Sequence, residues 1–404
     1  MMYDYFHGLV TGIENTLAAH PEKRSHRKTY ALEIARLGRR LYSGDERIAW
    51  CGVLAPFDLL NAMGVTSCFV EFIGAMLAST GMIAEFLQEA ETKGFAPDTC
   101  GYHRAVLGAA HKNLMPKPDF CIATSAPCTG GLAVMENIAS MFGKDLFVLN
   151  VPQDDSEESV RYLADQFRDM TDFVAKRTGR PLDRDALRRA MELSNQATDI
   201  MREAYEIARH VPSPVSGKDL ANFGVVMALL LGKPEAVQVA REFKEAFAAR
   251  VARNEPGVPG ERVRLLWIQN RIQFKNDVLD FLEKDCRASI VCDELNAVTW
   301  EPIDPDDPFP GLARRAISIP LNGTVERRVE NLKKMATEFK IHGAVNPCHW
   351  GCRQGTGARG LVAEGLREIG VPVLNLEVDC VDTRNFAPGQ IRTRLEAFIE
   401  MLTA

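Results

Sequence analysis

Two stretches of the 404-residue chain alternate short apolar runs with segments of helical periodicity, and this alternation restricts the possible fold most strongly. The first stretch predicts strands at 48–53, 67–72, 119–124 and 145–151, with helices beginning near Pro56 and at 82–93, 102–113 and 132–142. The second predicts strands at 264–267, 288–292, 344–346 and 371–376, with helices at 277–283, 324–339 and 360–369. Strands that alternate with helices form doubly wound, mostly parallel sheets. The sequence therefore predicts an α/β protein with two such sheets.

The residues between these stretches, from about 156 to 254, have almost wholly helical periodicity and are rich in Glu, Arg and Ala. Because the chain exceeds the usual size of one hydrophobic core, we expect more than one domain. The predicted division is an N-terminal α/β domain with leading helices at 1–154, a helical connector at 155–258 and a C-terminal α/β domain at 259–404.

Charge and hydropathy argue against two classes of partner. The net charge of −6 lacks the basic excess that binding to a phosphate backbone requires, so we expect no nucleic acid partner. The first residues do not combine a basic segment with an apolar one, as a signal peptide does. The longest apolar stretch, at 72–84, is too short to cross a bilayer. We therefore expect a cytoplasmic protein that does not enter a membrane.

Ten cysteines are more than packing needs, and a reducing cytoplasm argues against five disulfides, so metal binding or redox chemistry becomes the leading interpretation. Cys100 in APDTCGYHR, Cys128 in ATSAPCTGG and Cys348 in AVNPCHWGC fall in loops near strand ends or just before helices. Ligands bind at that edge of open parallel sheets, and iron binds through thiolates. A buried inert thiol is the alternative for each cysteine alone, but three equivalent loops favour a shared iron–sulfur site.

Cys348 and Cys352 are four residues apart, a spacing that places both thiols on one face if the segment forms a helical turn. A structural zinc site is the alternative, but its usual two close-spaced pairs are absent.

Cys51 and Cys380 are placed at strand ends and are second-rank candidates. The remaining four cysteines lie within or beside apolar strand-like runs, and we interpret them as core residues: Cys68, Cys121, Cys286 and Cys292. Of these, Cys68 and Cys292 are the first exceptions to consider.

Other motifs narrow the chemistry. GTGARG at 355–360 matches a dinucleotide fingerprint, but eight residues separate it from the preceding strand, which argues against a nicotinamide site. The sequence has no P-loop motif, so we do not expect this chain to hydrolyse ATP through one. His349 and His103 are close to candidate ligands and titrate near neutrality, so both are candidate catalytic proton donors.

The order of motifs resembles one family. APFDLLNAMG, DTCGYHR, SAPCTGG, NPCHWGC, IGVPVLNLEVD and DTRNFAPGQIRTRLEAFIEML are similar in sequence and order to the 2-hydroxyacyl-CoA dehydratase and benzoyl-CoA reductase family, over about 45–150 and 260–404. The resemblance implies two flavodoxin-like domains joined by helices, with an oxygen-sensitive [4Fe–4S] cluster at the inter-domain cleft. Matched loop by loop, its ligands would be Cys100, Cys128 and Cys348. It also implies a separate ATP-hydrolysing iron–sulfur activator that supplies low-potential electrons.

The additional cysteines resemble the double-cubane branch of that family, which holds an [8Fe–9S] cluster through six cysteines. A set of six would be Cys100, Cys128, Cys348, Cys352, Cys51 and Cys380.

Three functions stay open. The main one is a reductase of small molecules, expected to be a homodimer. The second is a 2-hydroxyacyl-CoA dehydratase or benzoyl-CoA reductase subunit, which acts on an acyl-CoA beside a related partner subunit. The third is a non-catalytic electron-transfer protein.

Overall fold

The computed structural model describes residues 2–220, 223–298 and 300–404, which contain two four-stranded parallel sheets. In the first sheet the strands lie in the order β2-β1-β3-β4, and in the second in the order β6-β5-β7-β8. Their bounds are Ile48–Cys51 (β1), Thr66–Phe69 (β2), Phe120–Thr124 (β3), Leu146–Leu149 (β4), Val263–Trp267 (β5), Ala288–Asp293 (β6), Gly343–His349 (β7) and Val373–Val378 (β8). Both sheets have the strand order of a flavodoxin-like domain. The predicted α/β fold with two doubly wound parallel sheets is confirmed.

Helices of the N-terminal half surround the first sheet, and a run of longer helices follows it. The first group is Met2–Ala19 (α1), His26–Leu41 (α2), Phe57–Ala62 (α3), Glu71–Ser79 (α4), Ile83–Thr92 (α5), Gly101–His111 (α6) and Thr129–Phe142 (α7). The second is Glu157–Thr178 (α8), Arg184–Ala208 (α9), Gly217–Leu220 (α10), Phe223–Met227 (α11) and Pro234–Ala252 (α12).

The C-terminal half repeats the alternation around the second sheet. Its helices are Val278–Asp280 (α13), which continues into a π-helical turn at Phe281–Asp285, then Pro308–Ile317 (α14), Val325–Glu338 (α15), Arg353–Gly357 (α16), Arg359–Glu368 (α17) and Pro388–Thr403 (α18). None of the helices in the described residues combines the length and the apolar character needed to span a membrane.

The strands next to the sheet centres are buried on both faces, which is why they read as continuous apolar runs rather than alternating ones. Trp50 on β1 and Trp267 on β5 are fully buried. Helices of the middle segment pack in the same hydrophobic clusters as the strands. Phe167 of α8 belongs to the cluster that contains Trp50, and Phe243 and Phe247 of α12 belong to the cluster that contains Leu266 of β5. The middle segment is therefore packed against both sheets.

Two predicted boundaries near the strand ends are wrong. The strand predicted at 67–72 ends at Phe69, and α4 begins at Glu71, because burial continues from the strand through Val70 into the helix and the apolar residues do not mark where the backbone changes. The strand predicted at 344–346 continues to His349, since Cys348 and His349 pair in register with Glu377 and Val378 of β8. Both corrections fall on the sheet edge where candidate site residues lie.

Candidate functional site

Four cysteines from both halves of the chain lie near one another. Cys100 is the N-cap of α6, Cys128 of α7 and Cys352 of α16, while Cys348 lies near the end of β7. Burial raises the pKa of Cys100 well above its usual value, and the nearby Cys352 and Cys128 raise it further. Cys348 and Cys352 both act on the pKa of Cys380. We call Cys100, Cys128, Cys348 and Cys352 the cysteine group.

The helical-turn argument for Cys348 and Cys352 is wrong in its geometry. Cys348 belongs to strand β7 and is 1% exposed, whereas Cys352 precedes the short helix α16. The extended backbone at Cys348 is held by its parallel pairing with β8. The chain then turns at 350–351, so the two sulfurs approach one region from a strand end and from a helix start.

Two of these sulfurs accept hydrogen bonds from protein groups. The backbone N–H of Gly131, in the first turn of α7, donates to Sγ of Cys128 at 3.3 Å. The side-chain amide of Gln269 donates to Sγ of Cys352 at 3.1 Å. Burial raises the pKa of Cys128 to about 11, and the Gly131 N–H opposes that rise. Hydrogen bonds to sulfur favour the thiolate over the thiol.

The other two sulfurs also face donors. Burial raises the pKa of Cys348, while the positive charge and hydrogen bond of Arg359 lower it. Nε2 of His349 lies 3.2 Å from Sγ of Cys100, and this contact joins the two halves of the chain. Sγ of Cys348 also donates to Oδ1 of Asn375 at 3.4 Å. Each sulfur of the cysteine group therefore has a protein donor beside it, and Cys348 has an acceptor as well.

Two of the other cysteines direct their thiols at main-chain carbonyl oxygens. Sγ of Cys51 faces the carbonyl oxygen of Ala49 at 3.8 Å, and Sγ of Cys68 faces that of Phe69 at 3.5 Å, so both thiols act as donors. Burial raises the pKa of Cys51 well above its usual value, followed by the charges of Cys121 and Cys68. The cysteines that act on the pKa of Cys51 are thus Cys121 and Cys68 rather than members of the cysteine group.

Cys380 borders the cysteine group. It is fully buried two residues beyond the end of β8, and its Sγ faces the carbonyl oxygen of Asn270 at 4.0 Å. Burial raises its pKa well above the usual value, and Asp379, Cys352 and Cys100 raise it further. Of the two second-rank candidates, Cys380 is next to the group and Cys51 is not.

A carboxylate that the sequence analysis missed pairs with His103. Nε2 of the buried His103 lies 3.4 Å from Oε1 of Glu71, at the start of α4, and Oε2 of Glu71 has no hydrogen-bond partner among the described residues. Glu71 also contributes to the raised pKa of Cys128, after burial and against the Gly131 N–H. The available signal was a carboxylate inside an apolar run directly after a strand.

A buried ion-pair cluster joins the two halves beside Cys100 and Cys380. The guanidinium of Arg104, which is 1% exposed, lies 3.4 Å from Asp379 and 3.3 Å from Asp382. It also contacts Glu91 at 2.6 Å. Because Arg104 is in α6 and the two aspartates follow β8, these pairs fix the start of α6 against the C-terminal half.

Gln269 is held in place by a second buried cluster. Its backbone has a φ of 62°, which is uncommon for a residue other than glycine, and its N–H donates to Oε2 of Glu294 at 3.0 Å. Arg328 binds both oxygens of Glu294, at 2.6 and 2.8 Å. The strained backbone and its carboxylate anchor therefore aim the Gln269 amide at Cys352.

The GTGARG segment does not form a phosphate loop. It forms the end of α16 and the start of α17, with Ala358 between the two helices, and a Cβ on Gly355 would overlap the side chain of Gln269. Gly355 is therefore explained by close packing, and the structure gives no support to a nicotinamide site.

Across residues 2–220, 223–298 and 300–404, no three His, Cys, Asp or Glu side chains are placed to hold a metal ion. A cluster binds each cysteine through a different iron, so its ligands lie farther apart than those of one ion. No disulfide consumes the thiols in the described part of the chain. The cysteine group, four free thiols that each have a protein hydrogen-bond donor nearby, fits an iron–sulfur cluster chemically.

The fold and the cysteine group define a class: two-domain α/β proteins with cysteines from both halves gathered beside the sheet edges. The sequence model of the 2-hydroxyglutaryl-CoA dehydratase D-component family matches residues 53–402, most of the chain, and the protein belongs to this family. The family resemblance and the expectation of an enzyme of this kind are confirmed.

Curated relatives cover nearly the whole chain. The alpha subunit of (R)-phenyllactyl-CoA dehydratase from Clostridium sporogenes is 24% identical over 89% of this chain and 90% of its own length. The alpha subunit of lactoyl-CoA dehydratase from Anaerotignum propionicum is 25% identical over 91% and 93%. A benzoyl-CoA reductase subunit from Thauera aromatica is 24% identical over 86% and 85%. These names describe subunits of enzymes that act on acyl-CoA compounds.

Proposed function

We propose that this chain is the iron–sulfur subunit of an enzyme that acts on a 2-hydroxyacyl-CoA thioester. Cys100, Cys128 and Cys348 are the principal cluster ligands, and Cys352 is a fourth. The observation that carries the proposal is that all four sulfurs of the cysteine group have a protein hydrogen-bond donor beside them, although Sγ of Cys348 also donates to Oδ1 of Asn375. The sulfurs of Cys51 and Cys68 face carbonyl oxygens instead. The names of the relatives favour this function over a reductase of small molecules.

The donors address the main cost of a buried thiolate site. Burial raises the pKa of Cys100, Cys128 and Cys348, so removing their protons is unfavourable in the chain alone. Donors around the sulfurs lower that cost, and iron completes the compensation. When bound, an iron–sulfur cluster supplies single electrons at low potential.

The surrounding residues have separate tasks in this proposal. His103 is the proton donor, and the Glu71 carboxylate, 3.4 Å away, orients its ring. Arg104 and its aspartates keep the two halves closed around the cysteine group. Closure excludes water, which protects reactive species from hydrolysis.

We propose that the protein works in the cytoplasm together with other proteins. The relatives are named as subunits of larger enzymes, so we propose that this chain works with a related partner subunit rather than as the homodimer expected of a small-molecule reductase. The family resemblance implies that an ATP-hydrolysing iron–sulfur activator supplies the electrons, and the absence of a P-loop in this sequence is consistent with a separate activator. A reducing compartment suits a chain with ten free cysteines.

Anaerobic purification with iron and sulfide determination tests the cluster. The expected result is about four irons per chain, reduced to background in Cys348→Ala and unchanged in the control Cys286→Ala, since Cys286 is outside the cysteine group. Full cluster absorbance in Cys348→Ala would show that the ligand assignment is wrong. Addition of an acyl-CoA should then alter the cluster spectrum, and an unaltered spectrum would argue against the substrate class.

A second candidate, the double-cubane reductase of small molecules, is favoured by one observation: Cys352 and Cys380 lie beside the three principal ligands. About eight irons per chain would support it. Because Cys51 lies near Cys68 and Cys121, only five of the six cysteines that a double-cubane cluster requires lie at this site. The third function, a non-catalytic electron-transfer protein, would be excluded if the chain converted a substrate when supplied with the activator and ATP.

A further inference from the structure

His349 is held between two cysteines at the end of β7. The backbone N–H of Cys380 donates to Nδ1 of His349 at 3.0 Å, and Nε2 lies 3.2 Å from Sγ of Cys100. The side chain is fully buried, and the ring of Tyr102 packs edge-on against it with centroids 5.4 Å apart. Both ring nitrogens therefore have a partner and the ring has little freedom to turn.

The Cys380 contact determines which nitrogen carries the proton. A peptide N–H can only donate, so Nδ1 must present its lone pair to Cys380. The single proton of the neutral ring is then on Nε2, which points at Cys100. A proton on Nδ1 would put two hydrogens between Nδ1 and the Cys380 nitrogen.

Asp379 is the nearby group that would favour a proton on Nδ1, and its own contacts oppose this. Its Oδ1 lies 3.5 Å from Nδ1, farther than the Cys380 nitrogen. The same oxygen accepts the backbone N–H groups of Val381 and Asp382, both at 2.9 Å. Asp379 is also paired with Arg104 through its other oxygen. Asp379 is thus engaged in holding the loop after β8.

We propose that His349 is a positioning residue: a fixed Nε2–H donor that holds the Cys100 sulfur across the two halves of the chain and raises the reduction potential of the centre that this sulfur binds. A hydrogen bond to a ligand sulfur stabilises the more electron-rich, reduced state. The effect on potential rests on the proposed function, but the location of the ring proton does not. Proton delivery to substrate then belongs to His103 alone.

Two-bond proton–nitrogen correlation spectra of the full chain labelled with nitrogen-15 histidine test the location of the proton. Only one resonance set among the eight histidines should disappear in His349→Gln. That set should have the pattern of the Nε2–H tautomer. An Nδ1–H or doubly protonated pattern would overturn the proposal. Because this measurement does not need a bound cluster, it separates failure of this inference from failure of the proposed function.

The reduction potential of the cluster-loaded chain gives a second readout. His349→Gln keeps an amide donor near the position of Nε2, so its potential should stay near that of the unchanged chain. His349→Leu removes the donor, and we expect a shift to more negative potential with iron content retained. Equal potentials in the glutamine and leucine variants would contradict the proposal. If the leucine variant does not fold, the tautomer measurement still decides.

Discussion

Gly351 lies so close to the backbone of Cys100 that a Cβ atom in its place would overlap the nitrogen and Cα atoms of Cys100. The neighbour is main chain and has no rotamer to adopt, so Gly351→Ala must displace either the start of α6 or the turn after β7. We expect a loss of about 1–3 kcal/mol in the free energy of unfolding and reduced iron content. Chemical denaturation and iron determination measure the two effects.

Gly357, six residues further along, is the matched control. A Cβ at this position has nothing within 4 Å, so Gly357→Ala should leave stability unchanged or raise it by up to about 1 kcal/mol. If the two alanine variants behaved alike, close approach at Gly351 would not be the reason for its glycine.

Arg104→Met should destabilise the chain because Asp379 loses its arginine partner, whereas Asp382 keeps its pair with Arg384. Arg104, Asp379 and Asp382 are all at most 2% exposed at the side chain, and removing one partner of a buried pair typically costs about 3–5 kcal/mol. Arg314→Met removes an exposed pair with Glu157 and should cost less than about 1 kcal/mol. Denaturant titration of both variants checks the difference, and equal losses would show that the buried pairs do not hold the halves together.

The fold was predictable because its information is local. Buried strands such as β1 and β5 are continuous apolar runs, and the helices between them have their own periodicity. Boundaries were less accurate where burial continues across a break in secondary structure. The run from β2 into α4 is the example, since Phe69 and Ile73 are both buried while the backbone changes from strand to helix between them.

The site was predictable in its cysteines but not in their partners. Cys100, Cys128 and Cys348 could be found because loops at strand ends of parallel sheets gather at one edge. The donor from Gln269 to Cys352 joins residues 83 positions apart through a strained backbone, and no sequence pattern marks it. The pairing of His103 with Glu71 likewise depends on how α4 and α6 pack.

Gln269→Leu tests the donor to Cys352. Leucine is one atom shorter than glutamine but occupies a similar volume and suffers the same unfavourable backbone conformation, so the main change is the loss of the amide hydrogen bond to Sγ. We expect lower iron occupancy and an altered cluster absorption spectrum, measured after anaerobic reconstitution. Gln238→Leu, on the exposed side of α12, is the control and should load normally. Normal loading in both variants would remove Gln269 from the site.

Alkylation of Cys128 in the cluster-free chain should depend steeply on pH. Its pKa of about 11, against an ordinary value of 9.0, leaves only about a thousandth of the sulfur as thiolate at pH 8. The rate with iodoacetamide, followed by peptide mass spectrometry, should therefore rise about tenfold per pH unit up to about pH 11. A plateau near pH 9 would mean that the thiol is not buried as the structure has it.

Glu71→Gln should speed that alkylation at fixed pH. After burial, the Glu71 carboxylate is the leading group that raises the pKa of Cys128, because its negative charge opposes formation of the thiolate. Removing the charge lowers the pKa, so more thiolate is present below pH 11 and the rate rises. Glu136→Gln, on the exposed face of α7, should leave the rate unchanged. An equal rate in the Glu71 variant would place its carboxylate too far from Cys128 to act on that sulfur.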